Sequence, residues 1–387
     1  MSLETIMTSE EYFQQAMQYY SAQNTNAAVE ALRSSAALGH PMATLYLAEQ
    51  YFRQDPKQAF QFLLQQWDKG VVGTLHRLVT LRAFFTEQPL ELDDLKLLHQ
   101  EAVKGHAESL LILMNLTLKH ADHAYYAFLL QQQAPALLED LDFSVLMTAD
   151  QANEITQPRI DDLLSFALRT WTQHADIKPC LTITTCGIAY YRQVISPLAC
   201  KYYRLRLAPH LKPSMVHDPV TGEGIQNDVR TSDIVHVTPE HLDWFALEID
   251  LIIEKLTGVS RSRGESMNLL RYKNGQQYKP HYDAIVGQGL QFDTILQNGG
   301  QRIKTAITYL SDGYQGGETQ FPKLGTKIKA SIGDVLVFNN LDENGNVLRD
   351  SYHAGLPVTE GTKWILTKWI RESTTHYGNV VYPTKVN

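Results

Sequence analysis

Cysteine is scarce in this chain of 387 residues: Cys180, Cys186 and Cys200 make no even set for a disulfide framework. None has His or Cys neighbours at zinc spacing, so they read as reduced thiols. Long apolar runs are missing as well, and the opening residues have neither a basic nor an apolar leader region. The expectation is a cytoplasmic protein without membrane association. Positive charge is in short supply: the formal net charge is −8 and the pI is near 6.0. No basic stripe stands out, which argues against a nucleic-acid partner. What is present is ordinary for a globular protein, 44% hydrophobic and 20% charged residues, in a chain long enough for two domains with separate cores.

The first 150 residues repeat themselves. Gly39-His-Pro-Met-Ala, Gly70-Val-Val-Gly-Thr and Gly105-His-Ala-Glu-Ser recur at spacings of 31 and 35, each after a run with helical period, 27–38, 59–69 and 92–104. A glycine that ends one helix, followed by small residues that let the next pack closely, is the sequence form of a helical repeat. The pattern resembles Sel1-like repeats, relatives of tetratricopeptide repeats. The resemblance implies a short solenoid whose concave surface binds a protein partner.

Chemistry concentrates in residues 272–283, Tyr-Lys-Asn-Gly-Gln-Gln-Tyr-Lys-Pro-His-Tyr-Asp. His-x-Asp alone says little, since it also occurs at His120/Asp122, His174/Asp176 and His241/Asp243. The first and third of these lie in or beside helical runs, where residues two apart diverge, and the second follows one. His281/Asp283 differs. Pro280 and the flanking aromatics disfavour helix, and in an extended strand positions i and i+2 share a face. With a distant His353 they make two imidazoles and one carboxylate, the set associated with non-haem Fe(II) oxygenases.

Here the sequence resembles the prolyl 4-hydroxylase family of Fe(II)/2-oxoglutarate dioxygenases, over residues 188–371. Tyr272, Gly275, Tyr278, Pro280, His281 and Asp283 match its first block. Arg302 to Leu310 with Gly316-Gly-Glu-Thr-Gln-Phe-Pro322 matches the second, and His353-Ala-Gly-Leu-Pro-Val358 through Arg371 the third. The resemblance implies His281, Asp283 and His353 as iron ligands, and Lys363, ten positions past His353, as the partner of the distal carboxylate of 2-oxoglutarate. Tyr272 would hydrogen-bond the cosubstrate, while Tyr278, Arg302 and Trp369 would line the substrate region. Lys368, further along the same strand, reads as the solvent-facing lysine. The turn-rich stretch 215–229 corresponds to a lid, and Arg230-Thr-Ser232 to the strand that follows it.

The implied cofactors are Fe(II), 2-oxoglutarate and O2, with ascorbate as a candidate reductant, and the implied substrate is a peptide or protein containing proline. A free amino acid or other small molecule is the alternative substrate, and a repeat-based adaptor that senses O2 or 2-oxoglutarate the alternative class. Ala330 and Leu356 stand where the family often has Pro and Cys, which bears on substrate preference and on no ligand. The fold class expected is α+β and multidomain. Residues 1–150 would form the repeat solenoid, 151–181 a connecting helix and linker, 182–378 a double-stranded β-helix (jelly-roll) oxygenase domain with supporting helices, and 379–387 a tail.

Overall fold

The computed structural model describes residues 7–172, 177–217, 224–225, 229–287 and 290–382. The chain divides into two compact units, Met1–Thr172 and Gln173–Asn387. No helix among the described residues is long and apolar enough to cross a membrane.

The first unit is helical. Three times a helix stops, a glycine follows and another helix begins: Thr25–Ala37 and Pro41–Gln54, Pro56–Asp68 and Leu75–Phe85, Leu92–Ala102 and Ala107–Thr117. Gly39, Gly70 and Gly105 hold φ of 84°, 86° and 87°, a left-handed conformation that a side chain would strain. Ala16, Ala31, Ala36 and Ala43 are buried beside Leu32 and Leu47, so the helices approach closely. Two of the following helices are capped by histidine, a device the glycine pattern did not announce. Nδ1 of His40 accepts the Ala43 N–H at 3.2 Å, and Nδ1 of His106 accepts that of Ser109 at 3.3 Å.

The helix Leu75–Phe85 lacks a side-chain cap of its own. Fully buried Glu101, from the next helix, accepts the N–H groups of Gly73, Leu75 and His76 at 2.8, 3.0 and 2.8 Å. His76 lies 2.9 Å from Glu108 and 3.5 Å from Glu101, with its ring stacked on His106 at 4.5 Å.

The second unit is built on antiparallel strands. Eight form one sheet, in the order Leu181–Ile183, Ile188–Tyr191, Val335–Asn339, Arg302–Tyr309, Lys363–Arg371, Asn268–Tyr272, Asp233–His236, Lys212–Pro213. Four form another, Thr326–Ile328, Thr319–Phe321, His353–Gly355, Tyr278–His281. Ile188, Leu270, Ile307, Tyr309, Phe321, Phe338 and Ile365 belong to one buried cluster that draws on both. The helix Pro197–Leu207 starts as its sequence predicts, with the Ser196 hydroxyl accepting the Ala199 N–H at 3.0 Å ahead of Pro197.

Asp243 caps the helix Trp244–Thr257 through the Ala246 N–H at 2.9 Å and pairs with Arg206. Its place after His241 therefore has a structural cause. His120 and Asp122 likewise pair with Asp162 and Arg159, while His174/Asp176 lies outside the described residues.

Lys368 corrects the sequence reading. It is 1% exposed and its ammonium sits 2.7 and 2.8 Å from the two carboxylate oxygens of Asp250 on the helix Trp244–Thr257. Alternation along the strand does place Lys363 and Lys368 on opposite faces, but a helix carrying a buried acid covers the second face. Of the stretch 215–229, Val216–His217 and Gly224–Ile225 pair as short strands. Residues 218–223 and 226–228 of the expected lid lie outside the described residues, as do 383–387.

Candidate active site

His281 closes its strand and faces His353 directly across the small sheet. The strand stops there, so Asp283 reaches the same point from the bend that follows rather than from the extended run the spacing suggested. Each histidine donates Nδ1–H to a backbone carbonyl, His281 to Lys279 at 2.8 Å and His353 to Ser351 at 2.9 Å. A carbonyl only accepts, so the tautomer compatible with each of these bonds presents a bare Nε2 lone pair. These nitrogens lie 3.5 and 3.6 Å from the two oxygens of Asp283. Suitable atoms of all three side chains fall within 4.8 Å of one another.

Electrostatics suits a cation there. Burial, with His281 alongside, pushes His353 down to about 4, so it is uncharged at neutral pH. Burial also works to raise the Asp283 carboxyl, but His353, His281 and the Arg302 guanidinium outweigh it and hold the group well below the usual carboxylate range. Phe338 and Phe321 wall His353 at 4.8 and 5.8 Å between ring centres. Two imidazole nitrogens and an anionic oxygen, converging beside two phenylalanine rings, fit a divalent iron.

The same cavity runs on to Lys363, 3% exposed, whose Nζ donates to the Gly317 carbonyl at 2.7 Å. Burial, with Lys329 acting in the same direction, pushes this ammonium down to about 7. Tyr272 stands opposite Lys363 in the strand register and also lines the cavity. Thr319, bonded to the Tyr309 hydroxyl at 2.7 Å, completes this end. A buried cation beside hydroxyl groups fits the far end of a dicarboxylate.

At the other end Tyr278 stacks on His281 with ring centres 3.5 Å apart, and Trp369 forms part of the wall. Burial raises the Tyr278 phenol to about 12, so it stays a neutral hydroxyl. Arg302 acts at one remove. Its guanidinium lies 3.6 Å over the Trp369 ring and bonds Glu265 at 2.6 and 2.9 Å, while Arg371 meets the same acid at 2.6 Å.

Sequence reasoning missed Arg230. It lines the cavity at 8% exposed, lies 5.2 Å over Tyr278, and its Nε and Nη2 have no hydrogen-bond partner among the described residues. The signal was an arginine beside the expected lid, in a segment whose strand character drew the attention instead. Glu265 was missed for a simpler reason: nothing local distinguishes it from a solvated acid.

Comparison with known proteins finds relatives of this chain. Residues 267–371 match the model of the 2OG-Fe(II) oxygenase superfamily. Prolyl 4-hydroxylase 1 of Arabidopsis thaliana is 33% identical over 215 residues, covering 52% of this chain and 74% of that protein. A putative prolyl 4-hydroxylase of Acanthamoeba polyphaga mimivirus is 41% identical over 109 residues, 28% of this chain and 45% of its own. Among solved structures, a viral collagen prolyl hydroxylase from Paramecium Bursaria Chlorella virus-1 in a 2OG complex aligns at 26% identity and a TM-score of 0.37, over 47% of this chain and 94% of that one. With nearly three quarters of a curated relative matched at this identity, the chain belongs to the prolyl 4-hydroxylase family of 2OG-Fe(II) oxygenases.

Proposed function

We propose that this protein is a Fe(II)- and 2-oxoglutarate-dependent dioxygenase that hydroxylates prolyl residues of a peptide or protein, releasing succinate and CO2. One observation carries the reading: two imidazoles with bare Nε2 atoms, a carboxylate and a buried lysine that makes no ion pair among the described residues share one cavity. His281, Asp283 and His353 would hold the iron. Bound there with 2-oxoglutarate and O2, the metal supplies the oxidising power that puts one oxygen atom into a C–H bond and the other into succinate.

The chain's own part is binding and aim. Lys363 would take the distal carboxylate, exchanging its bond to the Gly317 carbonyl for an ion pair, with Tyr272 and Thr319 offering hydroxyl groups nearby. Tyr278 and Trp369 present flat apolar walls that suit a pyrrolidine ring. Arg302 holds Trp369 through the Glu265 pairing, and Arg230 has N–H groups to spare for a peptide carbonyl. The two sheets are read as a double-stranded β-helix occupying residues 182–378. The helix, glycine, helix units of residues 1–150 are read as Sel1-like repeats that dock a protein, supported by their shared φ and alanine packing.

The test couples two measurements on the purified chain with Fe(II), 2-oxoglutarate and proline-containing peptides. Succinate should appear together with the mass of one oxygen atom on a proline residue. Succinate coupled to oxygen gain on a free amino acid, with every peptide untouched, would replace the proposed substrate class.

A further inference from the structure

Asp283 needs more than burial to serve as a ligand, because a carboxylate has several rotamers and two equivalent oxygens. Its Oδ2 accepts a hydrogen bond from the Thr305 hydroxyl at 2.7 Å. Thr305 lies mid-strand in Arg302–Tyr309, fully buried between Phe338 and Trp369 on the neighbouring strands. Its oxygen in turn accepts from Nδ2 of Asn340 at 3.0 Å. Asn340, also fully buried, is fixed through its backbone, donating to the Ile303 carbonyl at 2.8 Å and accepting from the Leu348 N–H at 2.9 Å.

The chemistry of these groups allows one proton arrangement. An ionised carboxylate only accepts, so the hydroxyl must donate to it; the hydroxyl oxygen is then filled by an amide N–H. Donation runs from Asn340 through Thr305 to Asp283. The Asn340 Oδ1 is buried without a hydrogen-bond partner among the described residues, a cost that an apolar residue of similar shape would avoid. A donor at this position therefore does something an apolar side chain would not.

We propose that Thr305 and Asn340 are positioning residues that lock the Asp283 carboxylate by one oxygen and leave the other for the metal. This inference rests on His281, Asp283 and His353 being the ligands. Groups that orient ligands in this way typically govern metal affinity by about 10–100-fold.

The experiment measures Mn(II) binding to the full-length protein freed of metal, by the resonance signal of unbound Mn(II). Thr305→Val, which keeps shape and removes the hydroxyl, should weaken Mn(II) about 10–100-fold, and Thr305→Ser should bring affinity back near that of the parent. Asn340→Asp should weaken it similarly, since the new carboxylate takes the Thr305 proton away from Asp283. Thr305→Val with Asn340→Asp should bind no worse than Thr305→Val alone, as coupled members of one relay do. A parent that binds Mn(II) and a Thr305→Val protein that binds it equally well would overturn the relay. A parent that binds no Mn(II) would overturn the ligand assignment itself, and the relay with it.

Discussion

Two clusters in this molecule hold the same kinds of side chain, and only one is arranged for a metal. His281, Asp283 and His353 in the strand unit, and His76, His106 and Glu108 in the helical unit, each bring two imidazoles and a carboxylate within 4.8 Å. Their ring centres are 4.3 and 4.5 Å apart respectively. The difference lies in what the second nitrogens do. In the strand unit both Nδ1 atoms donate to carbonyls, which leaves Nε2 empty. In the helical unit Nδ1 of His106 accepts a helix N–H, so the neutral ring must keep its proton on Nε2. Burial opposes charge on His76, yet Glu108 and Glu101 outweigh it and raise the ring to about 9. A proton fills the one cluster, and the other is left incomplete.

The lysines of the strand Lys363–Arg371 repeat the lesson. Lys368 is already neutralised by Asp250, whereas Lys363 donates to a backbone carbonyl and makes no ion pair among the described residues. Completed pairs hold the fold together, and uncompleted ones wait for ligands.

The sharpest break of this comparison is metal stoichiometry. One divalent ion should bind per chain, and His281→Ala, Asp283→Ala or His353→Ala should abolish both binding and succinate formation, because each would supply one of the three proposed ligands. His76→Gln should leave binding and turnover unchanged. A second bound ion that disappears with His76→Gln would show that both clusters are metal sites.

Next in size is the lysine pair. Lys363→Ala should raise the 2-oxoglutarate requirement by roughly 100-fold or more at nearly constant metal affinity, as expected for losing one partner of a buried pair. Lys368→Ala should do the reverse. It strands Asp250 and costs about 3–5 kcal/mol of folding stability in denaturant melts, with the cosubstrate requirement unmoved. Equal effects of the two on cosubstrate would erase the distinction.

The smallest effect concerns His76. Its folded value, about 9, lies above the ordinary 6.5, so its contribution to stability is full below pH 6.5 and is lost as pH rises through 9. That contribution is roughly 3 kcal/mol from the difference between the two states. Melts of the parent should show the loss between these pH values, and His76→Gln should flatten it. A parent whose stability is level over that range would mean His76 is neutral.

Much of this was legible in the sequence, for physical reasons. Gly39, Gly70 and Gly105, which the repeat pattern singles out, do stand between successive helices, and the three blocks around residues 272–283, 302–322 and 353–371 are where strands of the second unit form. Strand alternation and turn glycines are local signals. Pro280 separated the informative His-x-Asp from its three look-alikes. What stayed hidden depends on contacts between distant segments. Asp250 gives Lys368 its role from 118 residues away, and Asn340 reaches Thr305 across 35. No periodicity reports that a polar residue in a central strand has a partner just past the end of the next one. The helix Leu290–Gln297 also went unread.

With His281 and His353 as the proposed ligands, their register pairing would make the metal a gauge of strand alignment. Side chains on a strand alternate faces, so a slip of one residue between these two strands would turn one imidazole out of the cavity. Only chains with the small sheet correctly threaded could then take up iron. Metal loading during refolding would count those molecules selectively, and total β-structure, which a slipped sheet retains, would not.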